Sequence, residues 1–272
     1  MDHYEHGGLT FDVRDRGLQD GEAVVLLHGF PQDGSSWSLV EPALGEAGLR
    51  TLAPDLRGYS PRARVTERSG YTSGKLMGDV LALLDAAGLS SAHVAGHDLG
   101  GNLAWMVAST YPERVRSLIA LSTPHPAAMA KSFLTSSQAF RSWYMLLVQL
   151  PWLPEFGMSK GDLAAGLRRG GLPGQAAEHS AQRMREPNAL RCALNWYRGI
   201  PLSLKTSPHR TRVPTTYIWG RRDPFLGRAA AELTQHYVQA DYRFVDLDAG
   251  HWLPDTHAAQ VSSEILHRVR AA

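Results

Sequence analysis

The sequence predicts an α/β fold, a mostly parallel central sheet flanked by helices and interrupted by a helical cap. Three observations carry this expectation. Short continuous apolar runs, such as Ala23 to Leu27 and Val115 to Leu121, have the form of parallel strands buried on both faces. They alternate with stretches of helical spacing, the order that a sheet covered by helices on both sides requires. One run ends in Gly96-His97-Asp98-Leu99-Gly100, a Gly-x-nucleophile-x-Gly turn between a strand and a helix.

Taken in order, Leu9 to Arg16 alternates apolar and polar residues and reads as a half-exposed edge strand. Ala23 to Leu27 runs into His28-Gly29-Phe30-Pro31-Gln32, and a helix is expected from about Ser36 to Ala47. A second buried strand, Arg50 to Ala53, precedes a turn over 54–60. Thr72 to Ala87 has helical spacing, with Leu76, Val80, Leu83 and Leu84 on one face. Strand 92–96, the glycine turn, a helix to about Thr110 and strand Val115 to Leu121 follow. After Ser122-Thr123-Pro124-His125-Pro126 no buried strand is evident until about Ser207. Helix-like segments rich in Trp, Tyr and Arg take its place. The strand pattern resumes at Thr215 to Trp219. A helix over Arg228 to Val238, strand Tyr242 to Leu247 and a final helix from about Asp255 complete the chain. The expected division is a core of 1–125 and 208–272 and a cap of 126–207.

Bulk properties narrow the function. Among 272 residues the formal net charge is +2, too small and too scattered for a nucleic-acid partner. The single cysteine, Cys192, excludes an internal disulfide and is read as a packing residue in a helix. The N-terminus shows no basic region followed by an apolar core, and no run approaches a transmembrane helix. A cytoplasmic protein, monomer or homodimer, with no membrane partner is expected.

The glycine turn presents Asp98 where an esterase would present serine. A carboxylate is ionised at neutral pH and is a nucleophile without help from a base. Two later strands end in turns carrying Asp223 and His251, in Gly220-Arg-Arg-Asp-Pro and Ala249-Gly-His-Trp. Ligand sites in open parallel sheets lie beyond the carboxyl ends of the strands, so all three residues reach one edge. Nucleophile, acid and histidine follow the chain order of the α/β-hydrolase triad. The backbone N–H groups of Phe30 and Leu99 are the expected oxyanion donors, and His28 is expected to brace that loop. His93 and His97 stand in strand-to-turn geometry, not on one helix face, so no metal is predicted.

The sequence resembles the epoxide hydrolases of the α/β-hydrolase superfamily, the group that includes the hydrolase domain of soluble epoxide hydrolase. His28-Gly-Phe-Pro-Gln, Arg57-Gly-Tyr-Ser, Gly96-His-Asp-Leu-Gly-Gly and Gly250-His-Trp carry the resemblance, with two cap segments, Trp143-Tyr144 to Pro151 and Asn195-Trp-Tyr-Arg. It implies an α/β-hydrolase fold with the cap inserted after the sixth strand. It also implies that Tyr144 and Tyr197 are the paired cap tyrosines. A phenol is protonated at neutral pH, so each could donate to an oxirane oxygen while Asp98 attacks carbon. Leu99 departs from the Trp found there in many relatives, so one pocket wall must differ.

The implied reaction converts an epoxide to a vicinal diol through a hydroxyalkyl ester of Asp98, with a small apolar epoxide and water as partners and no cofactor. Trp37, Pro31, His125 and Trp252 are expected to bind substrate. A dehalogenase using the same nucleophile is the alternative, but it needs halide donors, and the side chains of Phe30 and Leu99 cannot donate. A non-catalytic ligand-binding member of the fold is a third reading.

Overall fold

The structure, a computed structural model, describes residues 1–206 and 210–272. Eight strands form one sheet: β1 (His3–His6), β2 (Leu9–Gly17), β3 (Ala23–Leu27), β4 (Arg50–Pro54), β5 (Ala92–His97), β6 (Val115–Leu121), β7 (Thr215–Gly220) and β8 (Tyr242–Leu247). Their spatial order is β1-β2-β4-β3-β5-β6-β7-β8. Only β1 with β2 and β2 with β4 pair antiparallel; from β4 to β8 all neighbours are parallel. Every residue of β3, β4, β5 and β7 is buried, the polar ones such as Arg50, Thr51 and His93 included.

Leu9–Gly17 is not the edge strand. β1 holds that place, with Tyr4 opposite Phe11 and the rings stacked at 4.9 Å. Four residues containing two histidines and a glutamate are too short and too polar to show a strand period, so β1 carries no periodic signal. With β1 counted, the helical insertion follows the sixth strand.

Helices cover both faces. On one lie α2 (Ser73–Ala86) and α3 (Leu99–Thr110), joining Leu83, Leu103 and Trp105 to the larger core. On the other lie α1 (Glu41–Glu46) and the C-terminal helix over Ala258–Arg270, packing Leu44, Val261 and Ile265. Each such aliphatic or aromatic side chain stabilises the fold by about 1.5–3 kcal/mol on burial. The end of α2 is encoded locally. Gly88 adopts φ +71, its N–H bonds to the Asp85 carbonyl, and Leu89 N–H bonds back to Leu84.

Two expected helices are broken. Ser36 to Ala47 divides into a 3-10 turn at Gly34–Trp37, capped by Asp33, and α1. Pro42 in the first turn of α1 lacks the N–H that a continuous helix would use. Arg228 to Val238 is an α-helix only to Leu233 and tightens to 3-10 over Thr234–Tyr237.

Between β6 and β7 the insertion runs through α4 (Pro126–Thr135), α5 (Gln138–Arg141), α6 (Tyr144–Val148), α7 (Leu153–Lys160), α8 (Leu163–Arg169), α9 (Gly174–Met184) and α10 (Ala189–Gly199), then a 3-10 stretch at Ile200–Thr206. No strand occurs among its described residues. The expected boundary at 207–208 lies outside the described residues. Completing the chain are α11 (Arg228–Leu233), α12 (Leu253–Thr256) and α13 (Ala258–Arg270).

The insertion is tied to the sheet by polar contacts. Arg183 of α9 reaches Asp33 at 3.1 Å and Asp55 at 3.0 Å, and His179 reaches Asp33 at 2.8 Å. Trp196 Nε1 donates to the Arg57 carbonyl at 2.7 Å. Cys192 is buried in α10, its Sγ 3.3 Å from the Val65 carbonyl.

Candidate active site

Asp98 stands between β5 and α3 at φ 50, ψ −120, a strained conformation for a residue with a side chain. It is held there by its neighbours. Asp98 N–H donates to the Leu121 carbonyl, and its own carbonyl accepts from Asn102 N–H at 2.9 Å and Thr123 Oγ1 at 2.7 Å. A Cβ on Gly96 would run into the Gly100 carbonyl, and one on Gly100 into the carbonyls of Leu27 and His28. The turn can therefore be made only with glycine at these positions.

The loop after β3 closes on this carboxylate. A Cβ on Gly29 would lie 2.8 Å from Asp98 Oδ1. With glycine there, Phe30 N–H donates to Oδ1 at 3.0 Å. The Phe30–Pro31 peptide is cis. The Leu99 backbone N–H also favours the ionised form of the Asp98 side chain. His28, fully buried, accepts from Leu56 N–H through Nε2 at 3.0 Å, which ties this loop to the one after β4.

His251 follows β8. Its Nδ1 lies 2.7 Å from Asp223 Oδ2, and Asp223 Oδ1 accepts the N–H groups of Phe225 and Leu226. The other ring nitrogen, Nε2, lies 3.5 Å from Asp98 Oδ2. Burial favours a neutral imidazole, but the carboxylates of Asp223 and Asp98 outweigh it and push His251 up to about 10. Burial likewise works to raise Asp98, yet the hydrogen bond to and charge of His251 hold its carboxyl below the usual range. The pair is thus an imidazolium between two carboxylates.

Two residues that sequence reasoning left aside fix this histidine. His97 Nε2 and Ser122 Oγ both donate to the His251 carbonyl, at 2.9 and 2.8 Å. Burial, reinforced by the charge of His251, pushes His97 down to about 4, so it is the neutral donor. The signal available was weak: a histidine beside the nucleophile and a serine at the end of β6. His93 is engaged elsewhere, with Ser117 and Glu22, so the two histidines share no site. No cluster of metal-ligating side chains occurs among the described residues.

Tyr144 opens α6 and Tyr197 lies in α10; their rings meet edge to face at 6.1 Å. Gln149 Nε2 donates to the Tyr197 carbonyl at 2.9 Å, and Arg198 donates to the carbonyls of Val148 and Leu150, so the two helices are braced together. Burial, then the nearby Asp98 charge, raises both phenols above their ordinary value and keeps them protonated.

Asp98, Tyr144 and Tyr197 line two cavities at once, of about 430 and 500 Å³. The first arm also has Asn102, Ser73, Met106 and Trp196 in its wall. The second is almost wholly apolar, with Phe30, Pro31, Leu153, Met158 and Trp252. Pro31 and Trp252 thus lie where substrate-binding residues were sought. Trp37 and His125 do not. Trp37 is fully buried with Val40 and Leu44 on the opposite side of the sheet, because the 3-10 turn rotates it inward. His125 is fully buried, accepts from Ala127 N–H as the cap of α4 and stacks on Tyr237 at 4.9 Å.

Comparison with known proteins agrees with this architecture. The profile of the α/β hydrolase fold family matches residues 22–258. AB hydrolase superfamily protein YfhM of Bacillus subtilis is 35% identical over 97% of this chain and 95% of its own. Epoxide hydrolase 4 of Homo sapiens is 34% identical over 90% of this chain and 72% of its own. A solved structure described among novel epoxide hydrolases from metagenomes of hot environments superposes with a TM-score of 0.84 at 26% identity, covering 98% of this chain and 97% of that one.

Proposed function

This chain belongs to the α/β-hydrolase fold family, among its epoxide hydrolases, and we propose that it converts epoxides to vicinal diols through a covalent ester of Asp98. The observation that carries the reading is the pair of protonated phenols, Tyr197 buried and Tyr144 half-buried, that line the same two cavities as the half-buried, ionised Asp98 carboxylate. In this reading the insertion is a cap, Asp98, His251 and Asp223 are the triad, and Phe30 and Leu99 supply the oxyanion hole.

In the first step Oδ2 of Asp98 attacks an oxirane carbon, the carbon–oxygen bond breaks, and a tyrosine gives its proton to the departing alkoxide. Oδ2 is the attacking atom because Oδ1 is engaged by Phe30 N–H. The product is a neutral ester, so His251 loses one of the two carboxylates that hold its proton. The proton it sheds balances the one given by the tyrosine. Neutral His251, oriented by Asp223, then takes a proton from water, and the hydroxide adds to the ester carbonyl carbon. Charge develops on Oδ1, already at the Phe30 N–H; collapse expels the alkoxide, which takes the proton held by His251 and leaves as the diol, and the regenerated Asp98 carboxyl gives its proton back to His251.

Arms on both sides of Asp98 suit an oxirane with substituents on either carbon. Halide release is less well served: Trp196 and Trp252, the indoles of the two walls, donate to the carbonyls of Arg57 and Gly170. Turnover on matched epoxides, haloalkanes and p-nitrophenyl esters tests the assignment. Diol formation is the expected dominant reaction; halide release with no diol would overturn it.

A further inference from the structure

No helix of the described residues is long and apolar enough to cross a bilayer, and no membrane partner is expected from the sequence. A surface can be touched without being crossed. From Ser142 to Ser159 the chain contains a single charged residue, Glu155, and its carboxylate is taken by both terminal nitrogens of Arg198 at 2.6 and 2.9 Å. Much of this segment faces outward. Trp143 is 62% exposed, Leu146 77%, Trp152 69% and Phe156 56%. Scattered exposed hydrophobes are ordinary, but a run this dense marks a contact surface. Its inner side is the active-site wall, since Leu147, Leu153 and Gly157 of α6 and α7 line the apolar arm.

The charges decide what covers it. Arg141 enters the segment and Lys160 leaves it, both exposed. Among the described residues neither has an ion pair with a carboxylate. Arg141 donates to the carbonyls of Asp223 and Pro224, and Lys160 lies 6.0 Å from the Phe156 ring centroid. The apolar run is therefore bounded by uncompensated cations. Two copies of the chain meeting face to face here would bring like charges together in a self-complementary contact. An anionic lipid surface instead matches each part: indoles at headgroup depth, Leu and Phe in the acyl boundary, cations on the phosphates.

We propose that the α6–α7 face docks this protein peripherally on anionic membranes. Docking rests on the surface alone. That it also lets apolar epoxides pass from lipid into the adjoining arm rests on the reading given above. The test is flotation of the full chain with phosphatidylcholine vesicles, with and without phosphatidylglycerol, at low and high salt. Binding should require the anionic lipid, weaken with salt, and fall about tenfold or more in W152S/F156S, whose aromatic anchors are gone. Neither residue lines an arm beside Asp98, so that variant should keep its thermal unfolding midpoint and its turnover of a water-soluble epoxide. Binding is read without turnover, so its outcome is independent of the activity. Absence of binding, or equal binding to neutral vesicles, overturns the proposal. So does light scattering that shows a dimer which W152S/F156S dissociates, since the face would then be a homodimer interface.

Discussion

The backbone N–H of Phe30 donates to Oδ1 of Asp98 at 3.0 Å, which gives the two oxygens of one carboxylate different work. In the proposed mechanism Oδ1 rests where negative charge will develop, and Oδ2 faces Nε2 of His251 at 3.5 Å. Nucleophile and future ester carbonyl would then be assigned before substrate arrives.

The oxygen added to the substrate should therefore come from Asp98 and not directly from water. With enzyme in excess in ¹⁸O-water, a single turnover should give unlabelled diol and labelled Asp98. Replacing His251 by Gln should stop the reaction at the ester, seen by intact mass as an adduct equal to the epoxide. Labelled diol in the first turnover would mean direct attack by water.

Changing Tyr144 or Tyr197 to Phe removes a hydroxyl and almost no volume. Each change should slow epoxide opening by roughly 10²-fold, as expected for losing an acid catalyst, and the double change should be nearly inactive. Alkylation by a matched bromide should be much less affected, because halide leaves without a proton. Stopped-flow alkylation of Asp98 by the two substrates measures this directly, and a double variant that opens epoxides at wild-type rate would reduce the tyrosines to packing residues.

The charge on His251 depends on Asp98. Burial works against the imidazolium, Asp223 and Asp98 favour it, and the balance lies near 10. Asp98→Asn removes one anion, so the midpoint must fall, and His251 in the variant should be neutral at pH values where the wild type is charged. NMR titration of the imidazole checks the sign; an unchanged midpoint would show that Asp223 alone sets it.

Where the helical insertion meets the loops after β3 and β4, His179 is raised by its hydrogen bond to Asp33. A histidine whose folded value is raised adds stability that is complete below its unfolded pKa of about 6.5 and is lost as pH rises through the folded value. Asp55, pushed up to about 6 by burial and by Asp33, loses stability in the same direction. Arg183 and Glu186 stay charged throughout. The difference between wild type and His179→Gln isolates the histidine. Thermal midpoints of the two should converge at high pH and separate at low pH, with the wild type the more stable.

The proposed catalytic residues are legible because each sits where a strand ends, and strand ends follow from apolar runs. Asp98, Asp223 and His251 needed only the positions of β5, β7 and β8. Tyr144 and Tyr197 were different: no period or turn signal marks them, and only resemblance singled them out. Trp37 and His125 were misjudged because sequence gives nearness to a turn but not which face of the sheet a side chain meets. The grip of Asp33 and Asp55 on Arg183 was invisible for another reason, since it joins loops and a helix far apart in the chain. The bracing of the His251 carbonyl by His97 and Ser122 is likewise a contact of three strand ends that no local pattern records.

The tyrosines belong to the insertion and the carboxylate to the sheet, and all three line the same cavities, so in the proposed mechanism they would act on one substrate from opposite sides. An oxirane gripped by its oxygen on one wall turns its carbons toward the other. The new bond then forms along the line of the one that breaks, and the attacked carbon inverts. Water afterwards cleaves the ester at its carbonyl and leaves that carbon untouched. By the proposed mechanism a meso epoxide on a six-membered ring would leave as the trans diol, its handedness decided by which of its two carbons lies nearer Asp98.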